Sequence, residues 1–475
     1  GSPSRHASLA GNIPADGPIP AIGLPVAERE RFETGQAFNP GSATFIPGPN
    51  DPDSRRTGRF LANALRLRHE TTPRSAWEFT YSGVDTERWF RNGSGGVGFQ
   101  PQFNQRGLFD GRTDTLGAVG RFGAGTANDL TVGYEFEDER YENFNTDENP
   151  NPALRPNDRS TFRQRTQALY AQDRLRLLDG RLHLVLAGRA QSIHLRQPRF
   201  EGGATVFDGV ALDQPRGALT GDASVSYFLR GSGTTLRGHL GNSYRNPAGF
   251  ERFGSSFFAG SFSSFGDPRL GPERATSFDF GVDQYFAGAR ARLSATYFYT
   301  DLTETILFDS SGIINPSTDP FGRFGGYRNG GGGISRGLET TAAARLWTGF
   351  DFTASYTRTN ADSNTPTFGT AFHRMLGVSD HMFTMVANQR VGRLTLTADY
   401  FAASAYPFGF FGAPRPYSFD GPRKFDLVAG YDIPVSDRHN LRLYGKLENA
   451  FANTYWENGF LAPGRWGVAG LAFSF

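Results

Sequence analysis

The chain has no cysteine, three methionines and almost no lysine; of its 49 basic residues only Lys424 and Lys446 are lysines. Without cysteine there is no disulfide frame and no thiolate metal site. That absence suits an oxidising compartment or a cell-envelope protein. The arginine bias reflects either genome composition or a lumen lined with planar donors. A net charge of +2 excludes the basic excess of a nucleic-acid binder. No run approaches 18 consecutive apolar residues, so no segment reads as a transmembrane helix. Enzyme signatures are missing too. There is no G-x-S-x-G elbow. Asp380 and His381 are adjacent, which on a strand points them to opposite faces. The eight histidines are scattered without compact metal-ligand spacing, and His373 and His381 merely flank one loop-to-strand junction. The GGGG run at 330–333 lacks the following Lys-Ser/Thr of a phosphate loop. The expectation is a protein that is not an enzyme and needs no metal or cofactor.

What is present is aromatic and glycine-rich: 60 Gly, 44 Phe, and 14% aromatic residues overall. Mean hydropathy is −0.45, which would ordinarily indicate a soluble chain. Membrane barrels escape that rule, because lipid-facing and lumen-facing residues alternate. Such alternation recurs along the chain. Leu182, Leu184, Leu186 and Ala190 share one face, opposite Arg181, His183, Arg189 and Gln191. Leu394, Leu396, Ala398 and Tyr400 oppose Arg393, Thr395, Thr397 and Asp399. At the end of the chain Phe475, Phe473, Leu471 and Ala469 form one row, and Ser474, Ala472, Gly470 and Val468 the other. The strands run about 10–16 residues, enough for a tilted membrane strand.

Two kinds of connection alternate. Short turns fall at 71–74, 124–128, 178–180, 231–233, 287–289, 348–349, 391–392 and 434–438. Long loops fall at 91–111, 143–160, 197–214, 245–271, 309–324, 360–377, 406–420 and 450–464. Short turns on one rim and long loops on the other are the pattern of an outer-membrane barrel. Trp77, Trp89, Trp347 and Trp466 lie near strand ends, where interfacial girdles form. The run EFEDERYENFNTDEN at 135–149 carries seven carboxylates and reads as a solvated acidic loop, with Ca²⁺ as the sharper alternative.

The expected fold is all-β, a transmembrane antiparallel barrel of about 17 strands over 55–475. Residues 1–54 are rich in Gly and Pro and read as an irregular segment or a long external loop. The chain starts Gly1-Ser2, which reads as a processed or cloned start or as a fragment. Seventeen is odd, whereas bacterial single-chain barrels have even numbers. The expectation is therefore an open or gapped barrel lacking an odd number of strands.

Four stretches carry a resemblance. They are SYRNPAGFERF at 243–253, DPRLGPERATSFDFGVDQYF at 267–286 with the YFYT strand at 297–300, SRGLE at 335–339, and LENAFANTYWENGFLAPGRWGVAGLAFSF at 447–475. In that order they resemble the C-terminal part of the barrel of TonB-dependent outer-membrane receptors, of the cobalamin and siderophore type. The resemblance implies a 22-stranded parent with a plug domain and a TonB-binding segment, neither of which maps onto this chain. It implies active uptake of a scarce ligand such as a siderophore–metal chelate or cobalamin. The implied partners are TonB through a plug, outer-membrane lipid and lipopolysaccharide, in a monomer integral to a Gram-negative-type outer membrane. The terminal Phe475, with Phe473, resembles the barrel assembly signal. The aromatic loops at 253–267 and 405–419 propose Phe257, Phe258, Phe262, Tyr406, Phe408, Phe410, Phe411 and Arg415 as ligand contacts, with loop self-packing as the other explanation. Two further readings stay open: a passive porin of 16–18 strands, and a surface barrel that transports nothing.

Overall fold

The computed structural model describes residues 22–23, 44–45, 55–94, 101–211, 217–258, 261–309, 313–367, 372–408, 416–436, 439–457 and 460–474. The segment 1–54, apart from two residue pairs, lies outside them, as do Phe410, Phe411, Arg415 and Phe475. Among the described residues seventeen strands build one barrel wall. They are β1 (Arg55–Thr72), β2 (Ser75–Asn92), β3 (Gln105–Ala124), β4 (Asn128–Asp147), β5 (Asp158–Leu177) and β6 (Leu182–Glu201). Then come β7 (Ala218–Leu229), β8 (Thr234–Arg245), β9 (Glu273–Phe286), β10 (Ala291–Asp309), β11 (Gly333–Trp347) and β12 (Phe350–Thr367). The last are β13 (His381–Val391), β14 (Leu394–Ala403), β15 (Arg423–Pro434), β16 (Asn440–Glu448) and β17 (Trp466–Ser474). Two short strands, Gly326–Gly330 and Phe372–Arg374, prolong the ladders of β10 and β12.

Every strand pairs antiparallel with its neighbour in sequence, in the order of a barrel. The order closes on itself, with β17 standing next to β1. No residue register joins these two strands among the described residues, whereas every other neighbouring pair has one. All 18 residues of β1 are exposed, and so are eight of the nine in β17.

Register fixes the faces. Leu116 of β3 pairs with Phe136 of β4, Tyr134 with Leu169 of β5, and Leu169 with Ala190 of β6. The same outward face carries a further row, Leu240, Phe278 and Tyr299. These side chains include the large exposed apolar groups of the chain, such as Leu169 at 64% and Phe280 at 58%. An apolar belt of this kind is stable only against lipid. The terminal row behaves as its alternation predicts. Phe473 and Leu471 pair with Leu441 and Leu443 on the outer face. Trp77 packs edge-on against Phe122 at 5.4 Å, and Trp347 stacks on Phe350 at 4.2 Å, both beside short turns.

The alternation of short and long connections holds, but the strands reach further than the hydrophobic pattern indicates. The acidic run is not a loop: residues 135–147 belong to β4, and only 148 and 149 leave it. Its carboxylates are split by the pleat. Asp138 and Glu142 face outward, where Arg163, Arg165 and Arg159 pair with them. Glu135, Glu137 and Glu139 face the lumen. Opposite charges on the neighbouring strands let the ladder continue past the lipid into water.

Candidate functional site

Near the long-loop rim the inner faces of β4, β5 and β6 change character. Tyr141, Asn143, Phe162, Ile193 and Leu195 replace the charged lumen residues below. Three loops fold inward onto this patch. The loop after β6 makes a 3₁₀ turn, Gly202–Phe207, that brings Phe207 down. The loop after β8 makes one short helix, α1 (Gly249–Phe253). Arg245 holds Glu251 through two bonds of 2.9 and 3.0 Å, and Glu251 accepts the Ala248 N–H at 2.7 Å, which fixes where α1 starts. The β10–β11 loop supplies Phe321. Phe162, Leu195, Phe207, Phe253 and Phe321 form one buried cluster, with ring centroids 5.5–6.1 Å apart where they touch. Burying these rings holds the loops inside the mouth.

A polar brace locks the same loops. Asn143 on the wall accepts from the Ser255 backbone N–H at 3.1 Å and from its hydroxyl at 3.0 Å. Arg252 is buried and donates to the Pro268 carbonyl at 2.9 Å. Arg323, 3% exposed, donates to Asp319 at 2.9 Å, to Asp267 at 3.1 Å and to the carbonyls of Tyr327 and Gly266 at 2.9 and 3.2 Å. Arg269 closes on Asp267 with two further bonds of 2.9 Å. Burial pushes the Asp267 carboxyl up, but the hydrogen bonds from Arg269 and the charges of Arg323 and Arg269 outweigh it and hold the group below its ordinary range. Asp319 follows the same balance: burial raises it, and the bonds and charge of Arg323 bring it down.

A second line of rings runs across the opening. Phe109 on β3 meets Phe250 of α1 at 5.7 Å, and Phe250 meets Tyr327 edge-on at 6.1 Å. Tyr327 meets Phe308 at 5.2 Å, and Phe308 meets Phe265 at 5.8 Å. Guanidinium groups cap the rings. Arg88 lies 4.8 Å from the centroid of Phe109, and Arg269 and Arg323 lie 5.0 and 5.3 Å from that of Phe321. Arg88 makes no ion pair among the described residues, so its charge is available. Burial pushes the Tyr327 hydroxyl up, which keeps it a neutral donor. Flat apolar faces beside a free cation and a neutral hydroxyl suit a bulky, partly apolar, anionic ligand.

The residues singled out from sequence are divided. In a small hairpin, Ser255–Phe258 with Ser261–Ser264, Phe257 is in register with Phe262 and Phe258 with Ser261. Phe262 packs on Gly203, where a Cβ would collide with its ring. Tyr406 is buried against Phe419 at 6.0 Å in a second hairpin, and Phe408 is half-buried beside it. The rings brought together at the mouth come instead from Phe109, Phe250, Phe265, Phe308 and Tyr327. SYRNPAGFERF contained Phe250, and the Phe-Gly-Arg alternation of 321–328 was the visible signal for Tyr327. His373 and His381 have separate partners, the Ser363 carbonyl at 3.0 Å and the Tyr356 hydroxyl at 2.7 Å. Asp380 pairs with Arg374.

Below the mouth the lumen wall is polar. A cavity of about 340 Å³ is lined by Arg237, Asp279, Arg292, Thr296 and Glu339. Arg237 is tied to Asp283 and Ser294 at 3.1 Å. The two lysines share one lumen patch: Lys424 reaches Asp426 and Glu448 at 3.1 Å, and Lys446 reaches Glu448 at 2.5 Å.

Comparison with known proteins agrees with this architecture. Residues 22–450 match the family described as TonB dependent receptor-like, beta-barrel. No curated protein matches the chain in sequence. Among solved structures it is similar to BauA, the ferric preacinetobactin receptor of Acinetobacter baumannii, at 15% identity and a TM-score of 0.62, over 90% of this chain and 66% of that one. It is similar to the copper transporter OprC at 15% identity and a TM-score of 0.68, over 91% of this chain and 67% of that one. It is also similar to FyuA, the ferric yersiniabactin uptake receptor of Yersinia pestis, at 14% identity and a TM-score of 0.62, over 91% and 64%. Identities this low establish a shared fold only. The chain spans about two-thirds of the length of these structures. TonB-dependent receptors are transporters of the outer membrane, not enzymes. The chain belongs to the TonB-dependent receptors, as part of their β-barrel.

Proposed function

We propose that this barrel serves active uptake of a scarce, bulky, partly apolar anionic ligand, such as a siderophore–metal chelate or cobalamin. Ligand would be captured at the mouth and released inward by a plug under the pull of TonB, both supplied outside the residues described. The observation that carries the reading is the line of rings from Phe109 to Phe265 capped by Arg88, placed at the mouth of a lipid-belted barrel of this family. The hairpin residues Phe257, Phe258, Phe262, Tyr406 and Phe408, with Phe410, Phe411 and Arg415, are proposed as outer contacts on the way in. The receptor is proposed to act as a monomer in lipid and lipopolysaccharide, with Phe473 and Phe475 as the assembly signal. A passive porin is the weaker reading, because residues 22–450 match the TonB-dependent receptor barrel family.

Growth tests the proposal. A strain lacking the gene, supplied in turn with ferric chelates and cobalamin as sole sources, should fail on one of them. The intact gene should restore growth, and a version carrying Arg88→Gln and Tyr327→Ala should restore it only at about tenfold or higher ligand concentration. Normal growth of the deletion strain on every ligand, or full rescue by the double variant, would remove the reading.

A further inference from the structure

Where the loops fold onto the inner wall, four polar side chains are sealed from water. Asn143 and Asn145 stand on β4, and Ser160 and Asp158 are their direct cross-strand partners on β5. Both asparagines are buried; Asp158 is 3% exposed and Ser160 1%. Phe200 of β6 stands in register with Ser160 on the far side. The backbone of Gly202 and Gly203 forms the roof. Gly202 has φ +62°, and a Cβ on it would come within 2.4 Å of the Asn157 carbonyl oxygen and 2.7 Å of Asp158 Oδ1. Both oxygens therefore crowd the same point.

The hydrogen bonds of this group do not close. Asn143 Oδ1 is taken by the N–H and hydroxyl of Ser255. Asn145 Nδ2 donates to Ser255 Oγ at 3.5 Å, which leaves its carbonyl oxygen over. Asp158 Oδ1 accepts the Gly203 N–H at 2.7 Å. Asp158 Oδ2 and Ser160 Oγ are buried without a hydrogen-bond partner among the described residues. No cation there pairs with Asp158 either. Arg159, next in the chain, lies on the opposite face and is held by Glu142 at 2.7 Å and Glu201 at 3.6 Å. The buried Arg252 donates to the Pro268 carbonyl. A buried carboxylate without a countercharge costs free energy, and so does a buried hydroxyl without a partner.

One occupant relieves both. The donors are all oxygens: a carboxylate, an amide carbonyl, a hydroxyl and a backbone carbonyl. Such sets replace the water shell of hard cations. Charge selects among these cations. The next acid on this face, Asp147, lies one step beyond Asn145 and accepts the Asn149 N–H at 3.0 Å. No group of three or more acidic, histidine or cysteine side chains able to hold a metal occurs among the described residues. With a single carboxylate, a unit charge neutralises the site, whereas a divalent ion leaves one positive charge buried.

We propose that Asp158, Ser160, Asn145 and the Asn157 carbonyl bind an alkali cation, which pins the capping loops to the barrel wall. Asp158 links the ion to the Gly202–Phe207 turn, and Asn145 links it through Ser255 to the segment after α1. Closure of the cap then depends on salt at the long-loop rim as well as on ring packing. The site is separate from the line of rings and does not depend on which ligand passes through the barrel.

The test uses the full chain in detergent at neutral pH, in sodium, potassium, calcium or N-methylglucamine chloride at equal ionic strength. Hydrogen exchange reads the cap at two amides, the Gly203 N–H held by Asp158 and the Ser255 N–H held by Asn143. An ion that binds only the closed cap slows their exchange by one plus the ratio of ion concentration to Kd, about tenfold at ten times Kd. Sodium or potassium should produce that slowing, and N-methylglucamine none. Asp158→Asn keeps the shape and the acceptor for Gly203 but removes the charge. It should abolish the ion dependence. In N-methylglucamine it should protect both amides at least as well as the intact chain does, since no uncompensated charge remains. Asp208→Asn, which removes an exposed carboxylate from the same loop, should leave the ion dependence unchanged. Ladder amides of β5 and β6 report whether the wall is intact in each variant. Equal exchange of the intact chain in all four salts, slowing by calcium but by neither alkali ion, or the same ion dependence in Asp158→Asn would each overturn the proposal.

Discussion

Arg323→Ala should open the loop cap without unfolding the barrel. The side chain is buried, and its loss leaves Asp319 without a cation and Asp267 with Arg269 alone. It also strands the carbonyls of Gly266 and Tyr327, which Arg323 now satisfies. Removing one partner of a buried ion pair costs about 3–5 kcal/mol, most of it the price of an uncompensated buried charge. If that cost falls on cap opening, the open population rises about 150- to 5,000-fold. Hydrogen exchange reads it directly. The backbone N–H groups of Phe321 and Arg323 donate to Asp319, and that of Arg269 to Asp267. These amides should exchange faster by that factor, while the ladder amides of β5 and β6 stay as they were. Asp319→Asn/Arg323→Met removes both charges and should recover much of the protection, because a buried pair replaced by neutral groups is often tolerated. The pH dependence has a fixed sign. Both carboxyls lie below their ordinary range in the folded cap. Their stabilisation is fully present above the ordinary aspartate value of about 3.9 and fades as pH falls below it. Protection that changes less than fivefold in Arg323→Ala, or that strengthens on acidification, would refute the account.

Two further outcomes follow from the wall. Phe280→Arg places a charge on the lipid face of β9 and should cost about 2–4 kcal/mol near the bilayer centre; an unchanged urea midpoint in lipid vesicles would contradict the assignment of that face. Gly470→Val should cost about 1–3 kcal/mol, since a side chain there meets the Tyr444 ring; the melting temperature should drop, and Tyr444→Ala in the same chain should restore most of it.

The strands were legible because lipid imposes a simple rule. Every second residue within the belt must be apolar, and Leu182–Leu184–Leu186 or Leu394–Leu396–Ala398 obey it. Beyond the belt both faces meet water, so alternation disappears while the ladder goes on. That is why residues 135–147 read as an acidic loop, and why the long loops are drawn too early at β4–β5. Cross-strand pairs such as Asp138 with Arg165 hold the ladder there, and one sequence does not display them. The GGGG run shows the same gap. It is a tight crossing: Gly332 has φ +75°, and a Cβ on it would strike the Leu302 carbonyl. The mouth was legible only as composition. Phenylalanine-rich loops announced an aromatic surface, but its rings come from four separated segments, and only the fold sets Phe109 beside Phe250.

The parity of the wall follows from its pairing. Sixteen antiparallel ladders lead from β1 to β17, so the direction reverses an even number of times and the two strands point the same way. An antiparallel ladder cannot close between them. In lipid each unpaired backbone group costs several kcal/mol, which favours the closed ring in which β17 stands next to β1. With β17 and β1 running the same way, a ring that closes between them does so as a parallel pair.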